Sequence, residues 1–195
     1  SATSWIIDNV VMNYGGLHNR LTCQVLLQPF TLRECKEYCE VKNMGYKDRQ
    51  ILEAYMAMGG IPYYWSFLKK GQSVAQNFDR MFFQPGGELT QEFNALYVSL
   101  FKKPRHHIAI ITALAKKKQG LLREDLLKSS KLPDNAEFSK ALQELEHCGF
   151  IRKFTAIGKK TKDATFQLID NYTLFYFDFI SENVNGDEHF WSSSA

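Results

Sequence analysis

Between Lys102 and Leu168 the chain shows three helical stripes in tight succession and then a change to strand patterning, and that order restricts the fold more than any other feature. Ile108, Ile111, Leu114 and Ala115 mark one apolar helical face, closed by Gly120. Leu122, Leu126 and Leu127 mark a second, closed by Pro133; Phe138, Ala141, Leu142, Leu145 and Cys148 mark a third, closed by Gly149. Phe150-Ile151-Arg152-Lys153-Phe154 then reads as a strand, Gly158-Lys159-Lys160-Thr161-Lys162 as a polar turn, and Thr165-Phe166-Gln167-Leu168 as the returning strand. Three short helices followed by a hairpin make the winged variant of helix-turn-helix.

Lys102-Lys103-Pro104 combines a charge change with a helix break and marks the start of this module. Upstream the pattern is helical throughout. Thr31 with Glu34 forms a capping box ahead of a face of Leu32, Cys35, Tyr38 and Cys39. Ile51, Ala54, Tyr55 and Met58 form the next stripe, which ends at Gly59-Gly60. Pro62 opens a helix through Tyr63, Tyr64, Phe67 and Leu68; Val74, Phe78, Met81 and Phe82 give another, and Phe93, Leu96, Tyr97 and Leu100 a last. Trp5 to Met12 reads as a short helix, and Val25-Leu26-Leu27 as a buried strand whose sheet neighbours are expected upstream of Ser1. Tyr172 to Ile180 is dense in aromatics and is expected to pack as a helix on the winged module. The expected fold is mainly α. Residues 1–30 would be an α/β remnant, 31–101 a helical bundle, 102–170 the winged helix, and 171–195 a helical tail.

Charge is distributed unevenly along this plan. Residues 102–168 hold 15 Lys+Arg against 7 Asp+Glu, a net of +8, whereas the rest of the chain carries −5. One region therefore has an electropositive field that the remainder lacks. No apolar run approaches the roughly 20 residues of a membrane-spanning helix, so no membrane partner is expected, and the chain's start carries no targeting pattern, which points to the cytoplasm. Cys23, Cys35, Cys39 and Cys148 form no C-x-x-C pair, and packing is the better account of Cys35 and Cys39. Adjacent His106 and His107 point about 100° apart on a helix and share no ligand face, so a solvated helix start is expected there and no metal site.

Gly59-Gly60-Ile61-Pro62 joins two helical stretches. Glycine lets backbone approach a flat ligand closely and proline fixes the start of the next helix; a plain helix–helix turn uses the same residues. Taken with Ser1-Ala2-Thr3-Ser4-Trp5, Asn19-Arg20-Leu21-Thr22 and the basic helical module, it resembles the AAA+-type ATPases of archaea and bacteria, in the signal-transduction (STAND-like) group. The resemblance spans essentially the whole chain but only the back half of that family's ATPase module, because nothing here reads G-x-x-x-x-G-K-[ST].

The resemblance implies the end of a nucleotide-binding core, a helical lid and a winged helix, coupling the state of ATP and Mg²⁺ in the intact protein to an output. In that setting Gly59, Gly60, Ile61 and Pro62 would line the adenine pocket. Ser1 would orient the attacking water, and Arg20 would reach a neighbouring subunit's nucleotide as an arginine finger. Capping by Thr3 or Ser4, and a surface ion pair for Arg20, are the alternatives. The chain alone is expected to have no ATPase activity. A second function class is DNA binding: Lys153, Lys159, Lys160 and Lys162 crowd the wing, with Lys116, Lys117 and Lys118 at the first joint, and suit phosphate contacts. The presumed recognition helix, Asp134 to His147, offers Asp134, Glu137, Glu144 and Glu146 against Lys140, a poor set for reading bases. Expected partners are the protein's own ATPase core, DNA, or a second copy; a plain interaction scaffold is the third class.

Overall fold

In the computed structural model, residues 25, 27–155, 164–183 and 185–194 are described. They are mainly helical, with a small three-stranded antiparallel sheet. Two compact units divide them: residues 27–93 with 171–195, and residues 94–170. The division falls inside a helix at Asn94, ahead of the Lys102-Lys103-Pro104 break on which the sequence reading places it.

In the first unit, α1 (Leu32–Val41) begins as its capping box requires. The Thr31 hydroxyl accepts from the Glu34 N–H, and Glu34 Oε2 accepts the Thr31 N–H at 2.7 Å. Next, α2 (Asp48–Met58) buries Ile51, Ala54, Ala57 and Met58. Pro62 stands at the first position of α3 (Pro62–Trp65), which ends three residues short of the expected Leu68. The reason is Asn77, fully buried on α4 (Val74–Phe78). Its amide takes the Lys69 N–H at 2.8 Å and donates to the Ser73 carbonyl at 3.1 Å, so the intervening backbone folds around a side chain and not along a helix axis. A π-helical turn, Asp79–Phe83, continues α4 directly.

Val25 and Leu27 depart from expectation. Neither is in a strand, and they are 73% and 88% exposed. Three apolar residues ahead of Pro29 carry no period, and without a paired neighbour such a run has no ladder to join.

The chain leaves this unit along α5 (Glu92–Leu100) and returns through α9 (Asn171–Phe175) and a second π-helical turn, Tyr176–Ile180. Asn171 donates to the Tyr55 carbonyl at 2.8 Å, Tyr172 lies 5.2 Å from Tyr64, and Tyr176 stacks on Phe93 at 3.9 Å. The aromatic segment therefore completes the first unit's core, where the sequence reading docks it on the winged module. Aromatic content alone does not say which surface receives the rings.

The second unit runs α6 (Arg105–Ala115), β1 (Leu121–Leu122), α7 (Arg123–Ser130), α8 (Ala136–His147), β2 (Ile151–Phe154) and β3 (Thr165–Leu168). The strand order is β1-β3-β2, with Leu121 opposite Phe166 and Arg152 opposite Gln167. Ile110, Ile111, Leu114, Leu126, Phe138, Leu145 and Phe150 fill the core beneath it. Burial of each contributes about 1.5–3 kcal/mol. Leu122 is assigned to a helix by the sequence pattern but belongs to β1 and is 43% exposed. A two-residue strand is too short to leave a period. Its one signal is Gly120, at φ 92°, where a Cβ would sit 2.6 Å from the Phe166 carbonyl oxygen; only glycine lets the chain enter the sheet there.

Candidate functional site

The Gly59-Gly60-Ile61-Pro62 turn is tightly closed by the protein's own chain. Gly59 ends α2 at φ 60°, ψ −156°, a conformation open almost solely to glycine. Its carbonyl accepts the Trp65 indole N–H at 2.7 Å. Gly60 is buried, and a Cβ there would lie 1.8 Å from the Phe30 carbonyl oxygen; the Phe30 N–H in turn donates to the Gly60 carbonyl at 2.7 Å. Both glycines are thus accounted for without a ligand. The close approach that Gly60 permits is made by Phe30. Ile61 is half-buried, whereas Pro62 is exposed and Tyr63 is 58% exposed, its ring edge-on to Phe67 at 4.7 Å. Of the four turn residues, Gly60 is the one closed off; Gly59 and Ile61 are half-buried and Pro62 is exposed.

A second candidate is the set of basic residues around the sheet. Lys116, Lys117 and Lys118 follow α6 and are exposed, as are Arg152 and Lys153 on β2. Gln167 on β3 links the two groups. Its amide donates to the Lys118 carbonyl at 2.6 Å and its oxygen accepts the Arg152 Nε–H at 2.8 Å. Arg152 lies over the Phe154 ring at 5.4 Å and Lys153 over Phe166 at 5.8 Å, so each stem is braced, on opposite faces of β2. Phe154, itself 40% exposed, adds an aromatic face beside Arg152.

The helix α8 presents a different surface. Glu137, Ser139, Lys140, Gln143 and Glu146 are exposed, and Asn135 caps the helix by accepting the Phe138 N–H. Asp134 pairs with Arg123, which also lies over the Phe138 ring at 4.9 Å, so this acid serves the α7–α8 joint. Glu144 turns inward to His107, with an Nε2–Oε2 distance of 2.8 Å. That pairing corrects the expectation of a solvated helix start. His107 is 5% exposed and its ring stacks on Phe101 at 3.8 Å. Burial holds its pKa below the ordinary histidine range, and Glu144 opposes that shift only in part. Adjacent histidines on a helix face differently, and here one of the pair faces the core.

Cys35 and Cys39 are buried, and burial is the main cause pushing their thiols up to about 12 and about 11. Such thiols stay protonated and serve packing. Among the described residues, no cluster of three His, Cys, Asp or Glu side chains is placed to hold a metal ion, and no helix is long and apolar enough to cross a membrane.

Lys153 is therefore the one expected wing cation within the described residues; Lys159, Lys160 and Lys162 lie outside them, as do Ser1 and Arg20. The structure adds Arg152 to the basic set and ties it through Gln167 to the Lys118 carbonyl, beside the Lys116–Lys118 run that the sequence already places there. It also brings together Asp79, Glu53 and Trp191, which sequence reasoning did not single out. An aspartate set among Phe78, Met81 and Phe82 in an otherwise apolar stripe was the available signal. No protein-family model, no curated protein and no solved structure matches this chain.

Proposed function

We propose that residues 94–170 form a winged helix and that, with the helical unit preceding it, the chain is the lid and output-coupling portion of a STAND-like ATPase. The observation that carries this reading is the order helix, short strand, helix, helix, strand, strand with β3 paired between β1 and β2. That arrangement is the one a winged helix uses, and it follows a helical unit bearing a Gly-Gly-x-Pro turn. ATP with Mg²⁺ would supply hydrolysis within the core of the intact protein, and this chain's part would be to respond to it. Pro62, with exposed Tyr63 next to it, is where a nucleotide base would meet this turn. The test is direct: extend the reading frame upstream of Ser1 and assay ATP turnover of the longer protein. A Walker-type loop, with turnover altered by removing residues 94–170, is the expected result. A reading frame that starts at Ser1, or lacks such a loop, overturns the reading.

The basic residues around the sheet favour a second reading, contact with a nucleic-acid backbone. Gln167 joins the Arg152 side chain to the Lys118 backbone, Lys116, Lys117 and Lys153 are also exposed, and α8 shows Glu137 and Glu146 outward. This surface suits phosphates and not base edges. Titration of a labelled duplex at several salt concentrations is expected to give a log–log slope that shallows by about 0.9 for each phosphate contact removed by alanine at Lys116, Lys117 or Lys118. Salt-independent binding, or none, leaves the coupling role alone.

A further inference from the structure

The last described helix, α10 (Phe190–Ser194), is held to the first unit by a set of contacts more specific than those of a frayed end. Asp79, in the π-helical turn after α4, is 2% exposed. Its carboxylate accepts the Trp191 N–H at 2.9 Å and the Ser192 N–H at 3.3 Å, and the His189 ring lies 3.8 Å away. Among the described residues, every donor to that carboxylate comes from 189–192. The Trp191 indole N–H donates to Glu53 Oε1 at 2.8 Å. Its ring sits 5.0–5.4 Å from Phe78, Phe175 and Phe179, and Phe190 lies 4.9 Å from Phe83.

These contacts are made by a surface-laid segment. Phe190 and Trp191 are only half-buried, and 185–189 is exposed, folded by local bonds from Asn183 and Asp187. Departure of α10 would admit water to Asp79, so the carboxylate would not be left buried without donors. The receiving surface stays intact because Phe78 and Phe175 also pack on each other at 5.6 Å. A socket of this kind has two chemical demands. It needs an indole whose N–H meets Glu53, and a following turn whose backbone N–H groups meet Asp79.

We propose that this aromatic box, with Asp79 and Glu53 at its rim, is a peptide-binding socket for an aromatic helix start of Phe-Trp type. The chain's own Phe190–Ser194 fills it as an exchangeable strap, and the same segment from a second copy is the occupant that fits in its place.

The test uses the 1–195 chain and a fluorescent synthetic peptide of residues 186–194. Trp191→Ala, which weakens the internal strap, is expected to bind the peptide saturably and at least tenfold more tightly than the parent chain. Asp79→Asn added to that variant is expected to weaken the peptide at least tenfold. A peptide with alanine in place of tryptophan should not bind. A folded Trp191→Ala protein that binds the peptide no better than the parent overturns the proposal. If that variant fails to fold, amide exchange of the parent chain decides. Trp191 and Ser192 are expected to exchange at least tenfold faster than Phe78 and Met81, and exchange at one common rate makes α10 an integral core element and overturns it.

Discussion

Gly60 shows how one residue's chemistry separates two readings of the same motif. A glycine kept free for a ligand tolerates alanine in the absence of that ligand. Here the added methyl would meet Phe30 backbone at 1.8 Å and disrupt the bond from the Phe30 N–H to the Gly60 carbonyl. Gly60→Ala is therefore expected to cost about 2–4 kcal/mol in urea unfolding, with no nucleotide present. Unchanged stability would return the glycine to a ligand role. His107 supplies a second test at this scale. Its folded pKa is lowered, chiefly by burial, so the unfolded chain binds the proton first as pH falls. Its contribution is complete above the unfolded value of about 6.5 and is lost as pH drops below it toward the folded pKa. The urea midpoint should fall between pH 7 and 5, and His107→Asn should flatten that part of the profile.

At the scale of elements, the starts and ends of helices follow local rules closely. The Thr31–Glu34 box is reciprocal and solvent-exposed, so it tests capping with little packing involved. Thr31→Ala is expected to cost about 1 kcal/mol by denaturant melt, and Thr31→Ser only a few tenths. Elements without a strong period behave otherwise. α3 stops at Trp65 because buried Asn77 claims the backbone beyond it, and β1 exists because β3 offers it an edge. Neither cause lies within the element concerned.

For the whole molecule, the chain order and the spatial grouping differ. Residues 171–195 follow the 94–170 unit in sequence but belong to the 27–93 unit in space, through Tyr172, Phe175 and Tyr176. Loss of Tyr172 and Phe175 alone removes about 1.5–3 kcal/mol each from a domain whose stability is on the order of 5–15 kcal/mol. A chain ending at Asp170 is thus expected to lose protected amides across α1, α2 and α4 while α6, α8 and β3 keep theirs, as read by hydrogen exchange. Equal loss in both units would contradict the division.

By itself the sequence determined what depends on neighbours a few residues away. The capping box at Thr31, the chain reversal at Gly59-Gly60, Pro62 opening α3, the three helices after Lys103 and the two longer strands all arise from local dihedral preference and periodicity. Tertiary structure decided which surface each stripe would cover. It turned His107 and Glu144 inward to each other, placed Phe30 against Gly60, and joined Lys118 to Arg152 through Gln167. It also carried Trp191 back to Asp79 across more than a hundred residues. Those pairings depend on packing between distant segments, where apolar character specifies burial without naming the partner.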